Sequence, residues 1–251
     1  MRVSRKAVDT DSLAWQQLSD VMYCKLLNGR QEEGPHTLLL RSNPREPGPF
    51  FGQYHPDDEE FLCLEGDFTF DGSAWFRAGS YAFYPAYFVH GSRVHVRGGY
   101  ELYLRRSGPG PVCKVNGPLS HIPYYVGEGQ STDKALQLVD VANMDGMKDA
   151  VEDGAPRLKP LHRDAVTGRG STLLTAEQGL VGKVVYFDTH GLLEVFVVSG
   201  LFALPDGASL KARTYHCKTG DQVRLVLQCV EAGSLMISHD GELRFRAGGE
   251  S

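Results

Sequence analysis

The reading of the chain turns on Gln53-Tyr54-His55-Pro56-Asp57-Asp58-Glu59-Glu60-Phe61-Leu62-Cys63-Leu64-Glu65-Gly66. Residues two apart in an extended strand share a face, so Gln53 and His55 point the same way. Pro56-Asp57-Asp58 reads as a solvated turn. Glu59 then opens a short apolar run that Gly66 stops, with Phe61 and Cys63 on its face toward the interior. His90, from a later strand, closes the group. Two imidazoles and one carboxylate with open positions are the ligand set of non-haem Fe(II) oxygenases. Zinc also accepts three protein ligands plus water.

The same unit occurs twice. Glu60-Phe-Leu-Cys-Leu-Glu-Gly66, moved by 134 residues, lands on Glu194-Val-Phe-Val-Val-Ser-Gly200. The match continues without a gap: Phe68 meets Phe202, Arg77-Ala78 meets Lys211-Ala212, and Tyr81 meets Tyr215. Upstream, Lys25-Leu-Leu resembles Thr172-Leu-Leu. This indicates a duplication. Asp71-Gly72 and Asp206-Gly207 are turn signals, and Gly98-Gly99 reads as a hairpin between Val94–Val96 and Tyr100–Leu104. Short strands at regular spacing predict a sandwich or barrel in each unit. Helix is expected only near Asp11–Asp20 and Asp133–Ala150. The expected division is a first barrel over 1–118, a connection over 119–167 and a second barrel over 168–251.

Composition excludes several classes. The chain has 251 residues, 41% hydrophobic and 23% charged, as in globular proteins and unlike disordered chains. Lys+Arg 26 against Asp+Glu 31 leaves a net charge of −5, a poor footing for nucleic acid. No apolar run approaches a membrane span, and the N-terminus lacks a secretory apolar region. Five cysteines without a CxxC predict reduced thiols and a cytoplasmic location.

The segment His55 to Gly66 and the later Gly79-Ser-Tyr-Ala-Phe-Tyr-Pro85-Ala-Tyr-Phe-Val-His90 together resemble the two signature motifs of the cupin superfamily. His55, Glu59 and Gly66 fit H-x(3)-E-x(6)-G, and Gly79, Pro85 and His90 fit G-x(5)-P-x(4)-H. "HPDDEEFLCLEGDF" is especially similar to the ChrR-like cupins. The resemblance implies an all-β fold, two jelly-roll barrels in tandem with few short helices. It implies a metal held by His55, Glu59 and His90. Gln53 stands where the family usually has histidine, so it either coordinates through its carbonyl oxygen or orients water or substrate.

The leading expectation is a mononuclear Fe(II) dioxygenase for a small aromatic or oxygen-chelating substrate, with O2 as co-substrate. Zn, Mn or Ni are alternative metals. A Zn or Mn Lewis-acid lyase or isomerase, and a non-enzymatic ChrR-like sensor, are the rivals. Gln53, Tyr54 and Tyr87 are the candidate catalytic side chains, the two phenols by motif position only. Phe50, Phe51, Tyr54, Phe61, Tyr81, Phe83, Tyr84, Tyr87 and Phe88 are candidate pocket or core aromatics. Arg41, Arg105 and Arg106 are expected at the surface, with a carboxylate clamp as the alternative; His121 and Tyr124-Tyr125 are candidates to cap a barrel mouth. Carried through the repeat, Gln53, His55, Glu59 and His90 meet Phe187, Thr189, Leu193 and Arg224. The second barrel is therefore expected to be structural. No nucleic-acid or membrane partner is expected, and pairing through strand edges would give a homodimer.

Overall fold

The computed structural model describes residues 2–46, 52–72, 74–91, 94–115, 137–140 and 156–248. Contacts divide the chain into two compact units. One holds Met1–Arg2 with Ala14–Met144, the other Val3–Leu13 with Asp145–Ser251. Both are built of strands, and the described residues contain only two short 3-10 turns.

In the first unit the sheet order is Gln137–Asp140, Ser80–Tyr84, Glu59–Thr69, His95–Arg106, His36–Ser42, Met22–Gly29 and Gln16–Gln17. A separate pair joins Gly52–Tyr54 to Cys113–Val115. Alternation puts Phe61, Cys63, Phe68, Leu102 and Leu104 into one apolar core. Cys63 is an interior residue, as its strand position predicts, and burial pushes its thiol up to about 12.

In the second unit the order is Arg157–Arg163, Gly170–Ala176, Thr214–His239, Val184–Ala203 and Ser209–Lys211. Arg5–Asp9 pairs with Thr214–His239, so the first strand of the chain completes the second unit's sheet. The core is apolar, with Phe187, Leu193, Val195, Phe202 and Leu225 closely buried.

The duplication is visible in atomic detail. The Tyr81 hydroxyl donates to Glu60 at 2.7 Å, and its counterpart Tyr215 donates to Glu194 at 2.5 Å. Gly79 N–H donates to Cys63 O at 2.9 Å; Arg213 N–H donates to Val197 O at 2.8 Å. Both turn residues have positive φ, 86° and 66°.

Three local expectations are corrected. Residues 11–20 form no α-helix: Thr10–Ser12 is a 3-10 turn and Gln16–Gln17 a strand paired with Tyr23 and Cys24. Trp15 lies under Lys25 and Arg41, with cations 4.7 and 4.3 Å from its ring. A ten-residue helix is marginal alone, so such tertiary contacts override it. Within 133–150, Gln137–Asp140 is a strand on Ser80–Phe83, and the remainder lies outside the described residues. Gly98-Gly99 makes no hairpin, since His95–Arg106 runs through it. Close approach of backbone accounts for Gly99, not Gly98: Gly99 has a φ of 88° and a Cβ there would lie 3.0 Å from Ser42 O, while a Cβ on Gly66, where φ is 111°, would lie 2.3 Å from Gly99 O. All five cysteines are free. No helix among the described residues is long and apolar enough to cross a membrane.

Candidate metal centre

Three separate segments build the centre. Gln53 and His90 exchange two backbone hydrogen bonds of 2.8 Å, which brings the His90 turn beside the Gly52–Tyr54 strand. Tyr87 N–H donates to His55 O at 2.6 Å and ties the same turn to the next residue pair. Glu59 begins its strand between Tyr84 on one side and Arg106 on the other.

The three side chains converge. His55 Nε2 is 3.6 Å from Glu59 Oε2, and His90 Nε2 is 3.9 Å from Glu59 Oε1. One ligand atom from each lies within 4.8 Å of the others, and all three residues are buried. His55 Nδ1 sits 3.0 Å from Pro111 O and His90 Nδ1 3.1 Å from Phe88 O. A carbonyl oxygen only accepts, so each Nδ1 carries a hydrogen and each ring turns its Nε2 toward Glu59. Such backbone anchoring is how proteins orient metal-binding imidazoles.

The electrostatics agree with that role. Burial pushes His90 down to about 4, so the ring is neutral. Burial alone would raise the Glu59 carboxyl, but the Arg106 guanidinium and the imidazoles hold it below the ordinary carboxylate range. Arg106 Nη1 donates to Glu59 Oε2 at 2.9 Å. A neutral His90 imidazole and an ionised Glu59 carboxylate are the states that a metal needs. His90 Nε2 is buried without a hydrogen-bond partner. An orphaned buried acceptor costs about 1–3 kcal/mol, a penalty that coordination removes. The residues present therefore fit a divalent metal.

Arg106 and Asp57 correct the expectations made for them. Arg106 is buried and donates to both carboxylate oxygens of Asp57, at 3.1 and 3.2 Å, as well as to Glu59. Asp57 is no solvated turn residue; it is the buried counter-ion of Arg106 and also accepts Gly108 N–H at 3.2 Å. Arg105 is buried too and pairs with Glu60 at 3.0 Å, whereas Arg41 is half-buried and pairs with Glu101 at 2.8 Å. A signal existed. Tyr100, Leu102, Leu104 and Arg106 alternate onto one face, and a charge ending an apolar face calls for a buried partner.

A cavity of about 420 Å³ opens against the centre. Gln53, His55, Glu59 and Arg106 contribute its polar wall, and Leu38, Leu40, Phe70, Leu102 and Leu104 much of its apolar wall. His36 is buried with Nδ1 3.0 Å from Gly34 O and also lines the cavity. Tyr54 and Tyr87 face each other, ring centres 6.0 Å apart, and neither is among the lining residues. Tyr54 alternates with Gln53 and His55, so its ring leaves on the opposite face. Phe61, Tyr84 and Phe88 belong to the core, where the Tyr84 ring lies 4.6 Å from His90. Phe70 and Tyr100, which sequence reasoning passed over, line the cavity instead. Phe50, Phe51, His121, Tyr124 and Tyr125 lie outside the described residues.

The equivalent positions of the second unit carry other chemistry. Phe187 and Leu193 are fully buried in the apolar core, and Thr189 is buried beside them. Arg224 is exposed and pairs with Asp188 at 2.6 Å. His190 is exposed, with Nδ1 2.6 Å from Asp221 O, while Glu194 is buried against Tyr215.

Residues 3–109 match the family model described as the ChrR cupin-like domain. No curated protein matches the chain in sequence. Among solved structures, a candidate dioxygenase of Nostoc punctiforme is 16% identical with a TM-score of 0.69, over 98% of this chain and 87% of that one. Salicylate 1,2-dioxygenase of Pseudoaminobacter salicylatoxidans, in a mutant form, is 12% identical with a TM-score of 0.62, over 86% and 75%. Oxalate decarboxylase of Bacillus subtilis is 12% identical with a TM-score of 0.57, over 98% and 78%. At these identities the likeness is one of fold. Residues 3–109 are thus similar to a ChrR cupin-like domain, and the solved structures, followed along nearly the whole length of the chain, share its fold, an all-β protein of two jelly-roll barrels in tandem.

Proposed function

We propose that the chain is a metal-dependent enzyme, a mononuclear non-haem Fe(II) dioxygenase acting on a small aromatic or oxygen-chelating organic molecule. The observation that carries this reading is the convergence of buried His55, Glu59 and His90 on the wall of a largely apolar cavity. Fe(II) bound there would supply one-electron chemistry toward O2 and a point of attachment for substrate oxygens. The protein's own residues do the rest. His55 and His90 are held in one tautomer by Pro111 O and Phe88 O. Arg106 keeps Glu59 ionised. Leu38, Leu40, Leu102 and Leu104 exclude water and receive an apolar body. The Gln53 amide offers both a donor and an acceptor to orient a substrate oxygen, or its carbonyl joins the ligand set.

The fold neighbours support the reading by analogy: a salicylate 1,2-dioxygenase structure contains gentisate, and the oxalate decarboxylase has Mn(II) centres. The match of residues 3–109 to a ChrR-like domain favours a second reading, a metal- or ligand-sensing module without turnover. Elemental analysis of protein purified without a chelator, beside a His90→Ala variant, tests both. About one iron per chain, lost in the variant, with O2 uptake on catechol-like or diketone substrates, supports the dioxygenase. Zinc or manganese with turnover but no O2 uptake moves the reading to Lewis-acid chemistry. Metal or ligand binding without turnover favours the sensor.

A further inference from the structure

The cavity wall holds a cation that the metal centre does not use. Arg45 is fixed by two backbone hydrogen bonds to Val96, at 2.9 and 3.1 Å, and it lines the same cavity as His55 and Glu59. Its Nε is buried without a hydrogen-bond partner. Among the described residues no carboxylate lies within ion-pair distance of it, whereas Arg41, Arg105 and Arg106 each have one. Arg45 as a whole is half-buried, so its guanidinium keeps some contact with water while its shielded Nε leaves a donor that an anion in the cavity would satisfy.

The charge balance points the same way. Among the described residues lining the cavity, Arg45 and Arg106 face a single carboxylate, Glu59, and a divalent metal would add to that positive surplus. Tyr100 also lines the cavity; burial pushes its hydroxyl up to about 12, with Arg45 acting in the opposite direction. It therefore stays protonated, a polar hydroxyl on the same wall that is already hydrogen-bonded to Ser42. Leu38, Leu40 and Leu102 complete the lining with apolar surface.

We infer that this cavity takes an organic acid, whose carboxylate is anchored by Arg45 while its apolar body lies along Leu38, Leu40 and Leu102. The inference rests on the cavity being the substrate site. A carboxylate is the planar match for a guanidinium fork and accepts two parallel hydrogen bonds. Arg45 is thus a specificity-determining residue distinct from the metal ligands.

Titration calorimetry of the full chain with 4-phenylbutyrate and its neutral match 4-phenylbutyramide tests this. The acid is expected to bind about tenfold or more tighter than the amide, the worth of one charged hydrogen-bonded contact. Arg45→Gln should abolish that preference, and Arg45→Lys should retain part of it, with melting temperatures of both variants close to wild type. His90→Ala, which dismantles the metal centre, should keep the preference. If the preference survives Arg45→Gln but disappears in His90→Ala, the metal is the anchor and the inference fails. If neither probe binds, or both bind equally to wild type, it fails as well. A preference that follows Arg45 in protein that binds no metal would sustain the organic-acid site and reject the metalloenzyme.

Discussion

Arg106→Met separates the buried charge cluster from the fold that carries it. Methionine keeps much of the side-chain volume and removes the guanidinium. Arg106 makes three hydrogen bonds of 2.9–3.2 Å, two to Asp57 and one to Glu59, and all three residues are buried. Removing one partner of a buried ion pair costs about 3–5 kcal/mol, because the other charge is left uncompensated. Two carboxylates depend on this one cation, which favours the upper half of the range. Gly108 N–H remains on Asp57, and the two imidazoles remain near Glu59, which favours the lower half. The expected loss is about 4 kcal/mol. At about 2–4 °C per kcal/mol for a chain of this size, the melting temperature falls by about 8–16 °C.

The pH dependence supplies a second reading. In the wild type Glu59 lies below its ordinary value, so its contribution is complete above the unfolded carboxyl range and is lost as pH falls through the folded value. In Arg106→Met, burial acts without the cation and raises the Glu59 carboxyl. The variant then gains by taking up protons, and its deficit against wild type narrows from pH 7 to pH 5. Calorimetry and urea unfolding at both pH values measure this on the transition of the first unit. A loss below about 1 kcal/mol, or a deficit that widens on acidification, would refute the argument.

Three further outcomes follow from the geometry. Gly66→Ala and Gly200→Ala should each destabilise their own unit by about 2 kcal/mol or more, because both positions have positive φ and an added Cβ would meet backbone at 2.3 and 2.5 Å; equal urea midpoints for variant and parent would contradict this. Burial first, then Lys218 and Lys6, push His216 down to about 4, so it is neutral when folded and takes a proton near 6.5 when unfolded. The stability of the second unit should therefore be full above about pH 6.5 and decline toward about pH 4, and His216→Gln should flatten that decline in urea titrations. Zinc at a hundredfold excess over its dissociation constant should stabilise the chelator-treated protein by about 2.7 kcal/mol, and His90→Ala should erase the effect; the same thermal gain in both proteins would place the ion elsewhere.

Much of this protein is legible along the chain. The spacing His55-x(3)-Glu59-x(6)-Gly66 and the 134-residue offset are local patterns, and period-two alternation converts them directly into faces. The strands around Phe61 and Val195 follow from that periodicity, and the meeting of His55, Glu59 and His90 follows from the motif spacing. Gly98-Gly99 shows where local reading ends. A glycine pair serves a turn or a close backbone crossing equally well, and only the neighbour at Gly66 decides between them.

By itself, then, the sequence determined the all-β class, the duplication, the candidate metal-ligand set and the absence of its counterpart at the matching positions of the second unit, because each is written in residue type and spacing. Tertiary structure alone decided the rest. It buried Asp57 and Arg106 together, paired the Tyr54 and Tyr87 rings outside the cavity lining, and gave Arg5–Asp9 to the second unit's sheet. It also left Arg45 on the cavity wall without a carboxylate. These are matters of which distant groups meet. The energy of a charge depends on its neighbours and on its distance from water, and neither is a property of any short stretch of chain.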